Sequence, residues 1–228
     1  MKQASKKAFT LVELMVVIAI IGILVALLMP AIGNALAKGK EATCLSNLHQ
    51  HGIALIGYSS ANRGHTIEWA SGSPGLWMGA IEPYLSAGTK GEVRLCPIAR
   101  QVSPSGHGSA HSAWRVSSGA VSYEGSYAVN THIAGSGAST NNTYRRLADA
   151  DSSVPAFTDG AWWETGIIPN GVAWPSSLEN GSDWILDRHR KAVCMCYVDG
   201  HAARVELSMI FDQQWGPQYT RAGKVPPP

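Results

Sequence analysis

The side chains best placed to do chemistry in this 228-residue chain sit near its C-terminal end, where Asp187, His189, Asp199 and His201 flank the run AVCMCYV at 192–198. Imidazoles and carboxylates within one hairpin are permissive for zinc, but these residues show no defined ligand spacing. The first reading is therefore structural: His189 and Asp199 meet at the base of a hairpin and fix its loop, and no cofactor is required. Four cysteines, Cys44, Cys96, Cys194 and Cys196, add thiol chemistry. Cys194 and Cys196 would share one face of a strand with Cα atoms roughly 6.5–7 Å apart, at or beyond disulfide reach. If this part of the chain lies outside the cytoplasm, Cys44 with Cys96 is the expected pair; the alternative is four buried thiols acting as small apolar residues.

Hydrolytic chemistry has no support. The chain lacks G-x-S-x-G, HExxH and a phosphate loop ending in Gly-Lys-Ser/Thr. His107 and His111 lie in SGHGSAH, a flexible-loop sequence and a poor metal site. His49 and His51 fall on different faces of a helical stretch and read as solvated or interfacial. Trp162, Trp163, Trp174 and Trp184, in Gly/Pro-rich sequence, read first as core and second as a surface for carbohydrate or a neighbouring subunit. The net charge is only +2, and no basic stripe interleaves with aromatics, so a nucleic-acid partner is not expected.

The elements that must position these groups divide sharply. From Leu11 to Met29 every residue except Glu13 is apolar or Gly, and Lys2, Lys6 and Lys7 precede the run. As a helix it spans about 28 Å, enough to cross a bilayer. The lysines place the N-terminus in the cytoplasm and the remainder outside. Pro30 is expected to kink or locally melt the helix. Beyond it Ala35, Ala42, Leu45, Leu48, Leu55 and Ile56 recur near helical spacing, and Asn62-Arg63-Gly64 supplies a stop. An ordinary secretory signal cut after Ala35-Leu36-Ala37 is the competing reading. The apolar run exceeds the usual length for such a signal, and a carboxylate within it costs about 2.5–3.5 kcal/mol at a helix centre, so Glu13 needs a reason.

The run KKAFTLVELMVVIAIIGILVALLMP resembles the N-terminal signal of type IV prepilins and type II secretion pseudopilins. The resemblance implies cleavage by prepilin peptidase between Ala8, where the family usually has Gly, and Phe9, followed by methylation of Phe9. Glu13, Gly22 and Pro30 then fall at the family's mature positions five, fourteen and twenty-two. It implies a structural role in the inner membrane and then in a filament with copies of itself or other pilin-like subunits, with the machine left open. In such a filament Glu13 can neutralise the free amino group of a neighbour's Phe9. His189 followed after nine residues by Asp199-Gly200 looks like the motif of a prepilin-like subfamily abundant in planctomycetes, which brings no settled activity. CLSNLHQHG from Cys44, LCP at 95–97 and Thr158-Asp159-Gly160 are similar to the same group. Pseudopilins also bind calcium in C-terminal loops; Asp149, Asp151, Asp159 and Asp183 are oxygen donors, without EF-hand spacing.

The expected architecture is α+β: a leader at 1–8, a membrane and assembly helix at 9–61, and a β-rich head at 62–228 with long loops. Within the head a short helix ends near Leu85, VRLCP and SYAVNTHI read as strands, and 101–119 reads as loop. Strands at 192–198 and 203–207 flank Asp199-Gly200, a hairpin in which both central residues take positive φ. The rival to a filament subunit is a tethered or secreted binding protein with a Trp-lined or metal-dependent site in the head.

Overall fold

Apolar residues with few breakers dictate the longest element, helix α1 (Leu11–Ala61), in a computed structural model that describes residues 10–67, 76–86, 91–118, 120–134, 143–166 and 187–225. The helix is unbroken through Pro30, so the expected local melting does not occur. Pro30 removes one backbone bond, and strong helix formers on both sides carry the ladder past it. At the other end the Gly64 N–H donates to the Ser59 carbonyl at 2.8 Å, and Arg63 takes φ +56°. This is the six-to-one bond of a Schellman stop, placed where Asn62-Arg63-Gly64 predicts it.

The chain forms two units, Met1–Gly39 and Lys40–Pro228, and the division falls inside α1. In the first, the large apolar side chains between Leu11 and Met29 are exposed on every side, from 46% at Val17 to 73% at Leu27. The second holds the core and an α+β fold. There α1 contributes the buried side chains of Cys44, Leu48, His51, Ala54 and Leu55.

Among the described residues the head carries a short helix α2 (Trp77–Ile81), extended by a 3-10 turn at Glu82–Tyr84, and eight strands. These are β1 (Gln101–Val102), β2 (Ser112–Ser118), β3 (Val121–Gly125), β4 (Tyr127–Asn130), β5 (Pro155–Asp159), β6 (Glu164–Thr165), β7 (Ala192–Tyr197) and β8 (Ala202–Glu206). A three-stranded sheet runs β1-β2-β3, and a five-stranded mixed sheet runs β6-β4-β5-β7-β8. Only the β4–β6 pair is parallel in the larger sheet.

Two segments differ from expectation. VRLCP is not a strand: Glu92–Arg94 forms a 3-10 turn that ends at Leu95. The segment read as loop at 101–119 contains β2, which pairs with β3 from Trp114↔Gly125 to Ser118↔Val121. Ser and Gly hid that strand, because its stability comes from cross-strand pairing such as Arg115–Glu124 rather than from propensity.

Strand β7 organises the core. Cys194 and Cys196 share one face, as their spacing predicts, and join the cluster built on Cys44, Leu48 and Leu55 of α1. Val193, Met195 and Tyr197 face the other way, into a second cluster with Leu207, Ile210, Phe211 and Trp215. A strand buried on both faces reads as a continuous apolar run, which is what AVCMCY is.

Candidate functional site

At the N-terminus, Thr10 stands just before the first helical residue and Glu13 three positions later. The Thr10 backbone N–H and hydroxyl each donate to Glu13 Oε2 at 2.8 Å, and the Glu13 N–H returns to Thr10 Oγ1 at 3.3 Å. This is a capping box, and Thr-x-x-Glu is its sequence signal. It gives the carboxylate a reason within one chain. Ala8 and Phe9, the expected cleavage pair, lie outside the described residues. Gly22 has open space around it, with nothing within 4 Å of an added Cβ.

In the head, segments distant in sequence converge on Asp159, the last residue of β5. Its side chain is fully enclosed. Oδ2 accepts the Cys194 N–H at 2.8 Å and lies 3.3 Å from His189 Nε2. Oδ1 lies 3.4 Å from Arg188 Nη1 and 3.7 Å from Cys44 Sγ. Burial alone would raise the Asp159 pKa; His189, Arg188 and the Cys194 amide together hold it below the usual carboxylate value. Burial likewise works against a charged His189, but the hydrogen bond to Asp159 overcomes it and pushes the imidazole up to about 10.

The surrounding donors are as well placed. Arg188 Nη1 also donates to the Ser126 carbonyl, and Nη2 donates to the carbonyls of Ser109 at 3.0 Å and Gly160 at 2.8 Å. Tyr127 Oη donates to Cys44 Sγ at 3.2 Å, and Asn47 Nδ2 donates to the Leu95 carbonyl at 3.1 Å. Cys96 Sγ lies 3.7 Å from His189 Nε2. The hydrogen bond to Cys44 and its own burial raise the Cys96 pKa, and burial leads the rise at Cys44. The expected Cys44–Cys96 disulfide is absent from this structure: both are buried free thiols, each with a hydrogen-bonding partner of its own. Thr158-Asp159-Gly160 and LCP were visible as motifs, but nothing in the sequence joined them to His189, and Arg188 carried no signal at all.

His189 and Asp199 do not meet. They sit at opposite ends of β7, and His189 turns to Asp159 while Asp199 stays at the exposed hairpin. There Asp199 Oδ1 accepts the His201 N–H at 3.0 Å and lies 2.5 Å from His201 Nδ1. The hairpin has three loop residues, not two. Tyr197 N–H donates to the His201 carbonyl and Gly200 N–H to the Tyr197 carbonyl, both at 2.9 Å, and of the turn residues only Gly200 takes positive φ, at +89°. That is a type I turn closed by a left-handed Gly.

His49 Nδ1 reaches the Gly200 carbonyl at 2.7 Å, tying α1 to this turn. His51, expected to be solvated or interfacial, is fully buried with its ring 5.5–5.7 Å from those of Trp77, Tyr127 and Phe157. Trp163 is core and Trp162 stacks on His107 at 4.1 Å; Trp174 and Trp184 lie outside the described residues. Among the calcium candidates, Asp151 caps the Ser153 N–H at 2.9 Å and Asp183 lies outside the described residues.

The family described as the prokaryotic N-terminal methylation motif matches residues 3–29. No curated protein matches the chain. No solved structure matches it either. Residues 3–29 thus carry the N-terminal methylation motif of prepilin-like proteins, and the apolar start of the long helix α1 lies within it.

Proposed function

We propose that the protein is a structural subunit of a type IV pilus-like or type II secretion-like filament, not an enzyme. It waits in the inner membrane with its N-terminus cytoplasmic and its head periplasmic, is cut before Phe9, and assembles through α1. The observation that carries this reading is the match over residues 3–29 on a helix whose apolar side chains are exposed all round. Among the described residues one helix, α1, is long and apolar enough to cross a membrane. In water that surface would cost about 25 cal/mol per Å², so it needs lipid before assembly and neighbouring helices after it.

Glu13 has two successive roles in this scheme. Its carboxylate caps α1 in the free subunit and neutralises the new amino group of a neighbour in the filament. The His189…Asp199-Gly200 resemblance agrees with a structural role, because Asp199 holds the β7–β8 turn and the His189 imidazole ties the segment before β7 to Asp159.

Mass spectrometry of the mature N-terminus, from membranes of cells that contain the processing peptidase, tests the reading. A peptide beginning at methylated Phe9 supports it. A start at Lys38 overturns it and makes the head a secreted binding domain.

A further inference from the structure

We propose that the head holds one zinc ion, ligated by Cys44, Cys194, His189 and Asp159. The four donor atoms, all buried, lie within 4.8 Å of one another. They come from four places in the fold: the head-facing half of α1, the middle of β7, the loop before β7 and the end of β5. Among the described residues this is the one group of three or more metal-ligating side chains that comes together.

Geometry is the first argument. A tetrahedral zinc with Zn–S of about 2.3 Å and Zn–N or Zn–O of about 2.0 Å places neighbouring donors roughly 3.3–3.8 Å apart. One edge already has that length, His189 Nε2 to Asp159 Oδ2 at 3.3 Å; Cys44 Sγ lies 3.7 Å from the other carboxylate oxygen, Oδ1, so the carboxylate must turn for one oxygen to serve both neighbours. No two of the four donor atoms are more than 4.8 Å apart, so closing them onto one ion takes shifts of about 1 Å. The outer partners are also in place, since Asp159 keeps the Cys194 N–H and Arg188 while one oxygen turns to the ion.

Charge is the second argument. Two thiolates, one carboxylate and Zn2+ sum to −1, and the enclosed Arg188 guanidinium brings the buried set to zero with His189 neutral. Binding releases the ligands' protons to solvent, and no electrons move. Cys96, whose Sγ lies 3.7 Å from His189 Nε2, is outside the quartet. Cys196 donates to the carbonyls of Tyr197 and Gly200 and takes no part.

The test is metal analysis of the full chain, extracted in detergent under reducing, chelator-free conditions and reloaded with zinc or cobalt. The expected result is about one zinc per chain, and with cobalt a thiolate-to-metal charge-transfer band of tetrahedral type. Cys44→Ser and Cys194→Ser should each lose the metal, while Cys96→Ser and Cys196→Ala keep it. The cobalt spectrum needs no variant, so it stands even where a substituted chain misfolds. Absence of metal with a Cys44–Cys96 or Cys44–Cys194 disulfide found by non-reducing peptide mapping overturns the proposal, as does loss of metal in Cys96→Ser alone.

Discussion

Gly52 of α1 packs against Gly200 of the β7–β8 turn so closely that a Cβ on Gly52 would stand 2.9 Å from Gly200 Cα and 2.5 Å from Cys196 Sγ. Both glycines are required, one for the approach and one for its φ of +89°. Gly52→Ala should therefore destabilise the head by about 1–3 kcal/mol, despite the better helix propensity of Ala. Gly39→Ala, with nothing within 4 Å of the new Cβ, is the control and should be neutral or mildly stabilising. Urea unfolding of the two variants side by side checks this.

Arg188 should be the costliest single truncation in the head. Its guanidinium is fully enclosed with Asp159, and it serves three backbone carbonyls besides. Arg188→Ala leaves a buried carboxylate short of its permanent cation, a loss of about 3–5 kcal/mol. Arg188→Lys should recover little, because an ammonium cannot span the same fork. Thermal unfolding or limited proteolysis would show both.

Arg190 and Lys191 take φ +55° and +59° in succession, an arrangement that asks for Asn and Gly. The turn survives because Arg204 Nη2 donates to the carbonyls of His189 and Arg190 and Asp187 Oδ1 accepts the Lys191 N–H. Lys191→Gly keeps all these backbone bonds and relieves a left-handed strain of about 1–2 kcal/mol, so it should raise the unfolding midpoint. No rise in Tm would refute the strain argument.

His51 makes stability pH-dependent. Burial lowers its pKa from 6.5 to about 4, outweighing the bond to the Asn47 carbonyl. The folded state keeps the ring neutral while the unfolded chain protonates below 6.5, so this stability is complete above pH 6.5 and lost as pH falls towards 4. Between pH 7 and pH 5 the loss attributable to His51 is about 2 kcal/mol. His51→Phe should remove that part of the pH slope, measured as the difference between wild-type and variant denaturation midpoints.

Glu13 allows capping to be separated from charge. Glu13→Gln can still complete the capping box with Thr10, whereas Glu13→Ala cannot. If the carboxylate pairs with a neighbour's amino terminus, both variants are cut but enter filaments poorly beside wild type. Normal incorporation of Glu13→Gln would reduce the residue to a helix cap.

The long helix, its stop at Asn62-Arg63-Gly64 and the β7–β8 hairpin were legible because each depends on local pattern: an apolar run, a left-handed stop, Asp-Gly between strands. Strand β2 was not, since SAWRVSS becomes a strand only when VSYEG lies beside it. The cluster around Asp159 was half legible. Cys44, Cys96, Asp159 and His189 each stood out in separate motifs, but their meeting is a tertiary fact that one sequence does not encode in any window. His51 was misread because helical spacing says which face a residue takes and not whether a sheet covers that face.

Helix α1 packs on a strand that begins at Ala192, about 150 positions later in the chain. Contacts of such separation form slowly, since a long loop must close before any of them is rewarded. In the proposed topology α1 enters the bilayer first, and β7, which brings Cys194 and Cys196 to the cluster around Cys44 and Leu48, is among the later parts of the head to cross. Until β7 arrives the Cys44–Leu55 face of α1 is only partly covered, by Trp77, Tyr127 and Phe157, so in this scheme export and folding of the head are coupled, and a chain arrested before Ala192 would display an unfinished, adhesive helix face.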